Sequence, residues 1–157
     1  MTGSRVHDAI TALVAALEAE PSVTALATVI DGPVLSGDAP ETAVFVGYSG
    51  DPGDGMAATA NWTQTWAGLG AGRRDEQFDV LCAVVSWSGE TDVAARRQTA
   101  LAAFDAVATT LRATLNIGLG LPQPTIAEMA VADLLQEQTA AGLQARIPFV
   151  VRVKTRV

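Results

Sequence analysis

The chain has 157 residues, 49% of them hydrophobic and 17% charged, with a net charge of −7. That balance is globular rather than disordered, and a chain of this size buries roughly 68–70% of its unfolded surface without help from a metal or a disulfide. The acidic total argues against a general nucleic-acid binder, and the longest apolar runs are far too short to cross a bilayer.

Cys82 is the only cysteine and His7 the only histidine. No internal disulfide is possible, and neither a histidine-based metal cluster nor a Cys–His nucleophile pair is easily built from that inventory. The length suits one domain over residues 1–157. The first residues lack a charged-then-apolar signal region, so a cytosolic start is expected.

Ser4 to Ala19 reads as a helix, with Val6, Ile10, Leu13, Val14 and Leu17 on one stripe, Ser4 as cap and Pro21 beyond its end. Val23 to Ile30 is short and β-prone, and Asp31-Gly32-Pro33 turns the chain. Ser36 to Glu41 reads as a loop and Thr42 to Tyr48 as a strand. Ser49 to Gly55 is an acidic, glycine-rich loop. Its Asp51 and Asp54 suggest calcium, but an EF-hand needs a Glu at the twelfth position, where Trp62 stands.

Ala58 to Ala67 has period two, with Trp62, Gln64 and Trp66 on one face. Two roles are open for Trp62 and Trp66: core residues, or an aromatic platform for another subunit. Gly68 to Arg74 is a glycine-rich connection. A phosphate cradle with Arg73 and Arg74 as anion contacts would need a following lysine and helix, and neither is present. The segment therefore reads as the tip of a long hairpin.

From Gln77 to Gly89 both parities are apolar: Phe78, Val80, Cys82 and Val84 on one, Leu81, Ala83, Val85 and Trp87 on the other. This predicts an inner strand covered on both sides, or covered on one side and meeting a partner on the other. After Ser88 the period becomes helical, through Val93, Ala100, Leu101, Phe104, Val107, Leu111 and Leu115. Thr91 or Ser88 is positioned to cap this helix, Arg96, Arg97 and Arg112 fall on its polar side, and Asn116 and Gly118 end it.

Thr125 to Val157 reads as a second long hairpin turning at Thr139 to Gly142. Its last strand is apolar on one face, from Leu143 to Val157. The other face is basic, with Arg146, Arg152, Lys154 and Arg156. Pro148 within it predicts an edge position or a bulge. Such a face can be solvated, can meet acidic loops of a neighbouring copy, or can meet DNA. The expected fold class is α+β: a mostly antiparallel β-sheet with long hairpins, packed against two α-helices. Ser86, Ser88, Asp92 and His7 are the groups a small hydrolase would have to use, but their spacing matches no motif. A non-enzymatic role is expected, with no catalytic residue, metal or cofactor.

Several segments resemble the tail terminator (tail completion) proteins of long-tailed bacteriophages and prophages of actinobacteria. They are Thr42-Ala-Val-Phe-Val-Gly-Tyr48, Gln64-Thr-Trp-Ala-Gly-Leu-Gly70, Phe78-Asp-Val80, Val85-Ser-Trp-Ser-Gly-Glu-Thr-Asp-Val93, Gln136-Glu-Gln-Thr139 and Ala145-Arg-Ile-Pro-Phe149. The resemblance spans nearly the whole chain. It implies a small α/β domain that forms a hexameric ring, caps the head-proximal end of the tail tube, stops its polymerisation and joins it to the head-closure or connector protein. Genomic DNA would pass through the lumen without specific binding, and no membrane is involved. The protein would reside in the virion, at the head–tail junction, and in the host cytoplasm during assembly. Other neck or tail-tube-related proteins, and a tube-capping adaptor of a contractile injection system, are the alternatives. In the ring reading Trp62, Trp66, Arg73 and Arg74 lie near one subunit interface. Arg146, Arg152, Lys154 and Arg156 pair with acids across the ring or line part of the lumen.

Overall fold

A computed structural model describes residues 3–33, 40–51, 58–70, 72–140 and 142–157. Two long antiparallel strands, β4 (Arg74–Ser88) and β7 (Gly142–Arg156), lie side by side at the centre of a seven-stranded sheet. Each is flanked by two short strands in succession. β3 (Ala60–Trp66) pairs with the first half of β4, and β2 (Thr42–Val46) with the second half; both pairings are antiparallel. β1 (Thr28–Asp31) adds to β2 in parallel. On the far side of β7, β5 (Thr125–Ala132) covers the end of the strand and β6 (Leu135–Thr139) its beginning. The sheet is thus mostly antiparallel, as the alternating patterns require, and both long hairpins are present.

Helices α1 (Val6–Glu18) and α3 (Val93–Asn116) pack on one face of this sheet, with a single turn, α2 (Pro21–Thr24), between α1 and β1. Proline at the first position of α2 and the Glu20 side chain accepting from Ser22 N turn the start of the β-prone stretch into helix, so strand begins only at Thr28. In α1, Ser4 Oγ accepts from Val6 N at 3.1 Å, and Ala9, Leu13 and Leu17 are buried. In α3 the cap is Asp92, whose Oδ1 accepts from Ala95 N at 3.0 Å, rather than Thr91 or Ser88. Its buried stripe opens with Arg96 and continues through the small residues Ala100 and Ala103 to Val107, Leu111 and Leu115.

The core lies between helices and sheet. Phe78, Val80, Cys82 and Val84 of β4 and Ala145, Ile147, Phe149, Val151 and Val153 of β7 all face it. Phe104 meets Phe149 edge to face, with centroids 5.7 Å apart. Each Val, Ile or Phe among them contributes roughly 1.5–3 kcal/mol on burial, so these two strands supply a large share of the core's stabilisation.

Pro148 departs from expectation. It sits inside a central strand, opposite Ala83, and neither at an edge nor in a bulge of β7. Its carbonyl accepts from Asp133 N, on the β5–β6 side. In an extended chain a residue's N and O point the same way, so the missing donor faces the break between β5 and β6, where no ladder bond is lost.

Candidate interaction surface

Among the described residues, the second face of the sheet carries no helix. Part of it is covered by the chain's own segment after β2. Phe45 meets Tyr48 edge to face at 5.2 Å, and Gly50 lies against Ala83 and Val85 of β4. Gly50 has φ +76°, and a Cβ there would approach Val85 Cγ2 to 2.8 Å, so backbone geometry and space both select glycine. The apolar second face of the inner strand is therefore covered at Ala83, half-covered at Leu81 and Val85, and open at Trp87.

The basic side chains of β7 stand on this helix-free face, and three of them find acids within the same chain. Arg152 donates to both oxygens of Asp79, at 2.8 and 3.0 Å, from the residue directly opposite on β4. Arg156 donates to Asp75 at 2.7 Å, again directly opposite. Hydrogen bonding to these carboxylates, reinforced by their charge, raises both guanidinium pKa values. Arg146 donates to Ser49 O at 3.1 Å and lies 4.0 Å from Asp51. Lys154 is exposed, flanked by Gln77 and Ile126.

Trp62 and Trp66 lie opposite Phe78 and Arg74, hence on the helix side of the sheet. They are nevertheless 57% and 68% exposed, so they are not core residues. The Arg74 guanidinium stacks on the Trp66 ring, 4.8 Å from its centroid, and donates to Gln64 Oε1 at 3.3 Å. Gln64 in turn donates to Glu76 Oε2 at 2.6 Å. Glu76 is buried, and its other oxygen accepts from Arg5 N at 2.8 Å. This chain of bonds fixes the turn-proximal end of the β3–β4 hairpin to the start of α1. At the tip, Leu69 is fully exposed, and Arg73 is exposed as well.

Sequence reasoning missed Arg5, Glu76 and Arg96. Arg96, expected on the polar side of its helix, is buried. One of its nitrogens donates to Glu41 Oε1 and Ser86 Oγ, both at 2.9 Å, and to Trp87 O at 3.4 Å, tying α3 to the ends of β2 and β4. A period count assigns long cations to water, while a strand end with open carbonyls recruits one inward.

Of the four groups considered for a hydrolase, three serve local structure and the fourth lies far from them. Ser86 Oγ bonds Thr42 and Arg96, Ser88 Oγ accepts from Glu90 N, Asp92 caps α3, and His7 lies at the opposite end of the sheet, on α1. Cys82 is buried in the core. Among the described residues no group of three or more His, Cys, Asp or Glu is placed to hold a metal. No described helix is long and apolar enough to cross a membrane. Asp54, half of the calcium reading, and residues 36–39 of the expected loop lie outside the described residues.

No family model matches this sequence. No curated protein matches it either. Among solved structures, the chain is similar to a chain of the virion of a native gene transfer agent particle. The two are 18% identical, with a TM-score of 0.63, and the match covers 94% of each chain. At that identity the likeness shows a shared fold.

Proposed function

We propose that this chain is a structural protein of a phage-like particle, and that within it the chain acts as the tail terminator. The observation that carries this reading is the end-to-end fold likeness to a virion chain, with 94% of both chains covered. The tail-terminator segments quoted above narrow it to the head-proximal end of the tail tube. In this reading copies of the chain close into a hexameric ring, cap the tube, stop its growth and present the head-closure protein with a docking face.

The surface supports a role in assembly. Two tryptophans and a leucine exposed on a single hairpin are the kind of aromatic and aliphatic anchors that protein interfaces bury. Trp62, Trp66, Arg73 and Arg74 accordingly belong to one subunit interface. On β7, Arg146, Arg152 and Arg156 are largely neutralised by acids of their own chain, which leaves Lys154 to face the ring neighbour or the lumen. A lumen with so few free cations would let DNA pass without gripping it.

The test is assembly. Negative-stain images and light scattering of the purified protein, alone and with tail tubes of its own particle, should show rings or capped tubes of uniform length. A protein that stays monomeric in both settings, leaving tube length unchanged, refutes the proposal.

A further inference from the structure

One end of the molecule carries a groove of about 570 Å³ at the start of β4 and the end of β7. Four arginines line it, Arg5, Arg73, Arg74 and Arg156, beside Pro122 and Pro124, and no acidic side chain is among the described lining residues. Some of their charge is already answered: Arg156 by Asp75, Arg5 by Asp8 at 3.3 Å, with Glu76 buried nearby. Two of the arginines have donors without a protein acceptor. Arg73 is exposed and has no partner among the described residues, and Arg5 Nε is buried without an acceptor. A buried guanidinium nitrogen left unbonded costs free energy that an incoming oxygen would recover.

The opposite end of the long strands has the other sign. There β4 ends, α3 begins, β6 pairs with the start of β7, and α1 finishes. Glu18, Glu90 and Glu137 are exposed at that end and their carboxylates have no partner among the described residues, while Glu41 holds Arg96. The subunit is thus polar along its strands, with unpaired guanidinium donors at one end and unpaired carboxylates at the other.

We infer that the arginine groove receives carboxylates from the Glu90 and Glu137 end of a second copy of this chain, in a head-to-tail contact. This rests on the self-assembly proposed above and specifies which surfaces meet. Guanidinium–carboxylate pairing is directional and short-ranged, and a concave site with a few donors suits a few carboxylates. A duplex needs an extended stripe of cations, and on a chain of net charge −7 the groove alone does not provide one. A contact joining unlike ends is heterologous, and it closes into a ring if the rotation between copies allows.

The experiment reverses charge at each end. Arg73→Glu removes an exposed side chain without internal bonds, and Glu90→Arg with Glu137→Arg does the same at the other end. Association is followed by sedimentation velocity, with and without tubes, and melting curves establish that each variant is folded. Each reversal should raise the concentration needed for association by roughly tenfold or more, and combining both on one chain should restore it. Unchanged association in both variants, or loss without recovery in the combination, overturns the inference and leaves the ring reading standing. A duplex oligonucleotide that binds the wild type but not Arg73→Glu, with association unaffected, assigns the groove to phosphate and also overturns it. Wild-type protein that never associates removes the ring reading and this inference together.

Discussion

Replacing Glu76 tests how the hairpin is held to the rest of the fold. The side chain is 2% exposed and accepts from Arg5 N at 2.8 Å and Gln64 Nε2 at 2.6 Å. In Glu76→Ala both donors lose their acceptor. A donor left unsatisfied on burial costs roughly 1–3 kcal/mol. Gln64 is only half-buried and can turn to water, so its share is at the low end, while Arg5 N, at the start of α1, has little freedom to move. The total comes to about 2–4 kcal/mol, a large part of the roughly 5–15 kcal/mol that a domain of this kind holds. Glu76→Gln keeps the volume and one acceptor oxygen, so it should lose about half as much. Urea denaturation followed by tryptophan fluorescence measures both, and a double-mutant cycle with Gln64→Ala should give a coupling of about 1 kcal/mol. If Glu76→Ala costs less than about 0.5 kcal/mol with an unchanged m value, the carboxylate is not the anchor described here. Equal losses in the Ala and Gln variants would point to packing volume instead.

Three further outcomes follow from the same geometry. Burial pushes the Cys82 thiol from 9.0 up to about 12. Its folded value lies above the unfolded one, so its contribution is fully present below about pH 9. It is lost toward pH 12, at up to about 1.4 kcal/mol per pH unit, and Cys82→Ala should flatten that decline. Tyr48, raised chiefly by burial, titrates in the same sense and will leave a residual slope. A thiol reagent should label the native protein only at the rate at which it unfolds. Arg96→Ala should cost about 2–3 kcal/mol in urea, through lost packing and hydrogen bonds, whereas Glu41→Ala, at its exposed partner, should cost less than about 1 kcal/mol. Gly50→Ala should cost about 2–4 kcal/mol, adding a left-handed backbone penalty to contact with Val85 on a strand that cannot yield. Similar stability to wild type would mean the segment lifts away from the sheet at little cost.

How far the residues alone lead differs by element. The two central strands were legible because each carries an unbroken pattern, doubly apolar in β4 and strictly alternating in β7, and a hydrophobic face admits one register. The long helix was legible for the same reason. The first turn of Val23–Ile30 was not, since Glu20 and Pro21 set it through a cap that composition does not reveal. Pro148 misled because its cost depends on which neighbour its nitrogen faces, and the break between β5 and β6 has no local sign. At the surface, the tryptophans were ambiguous because alternation gives the side of a sheet but not how far a helix layer extends over it. The pairing of Arg152 and Arg156 with Asp79 and Asp75 needed the register between strands 73 and 81 residues apart.

The stepped outline of the sheet has one more consequence. Outside β4 and β7, no described strand exceeds the eight residues of β5, and each long strand's flank changes partner midway. A foreign strand docking on any rim therefore meets a brief ladder and then a step. Runaway cross-β stacking, the hazard of any sheet with open edges, has no long template among the described strands on which to start.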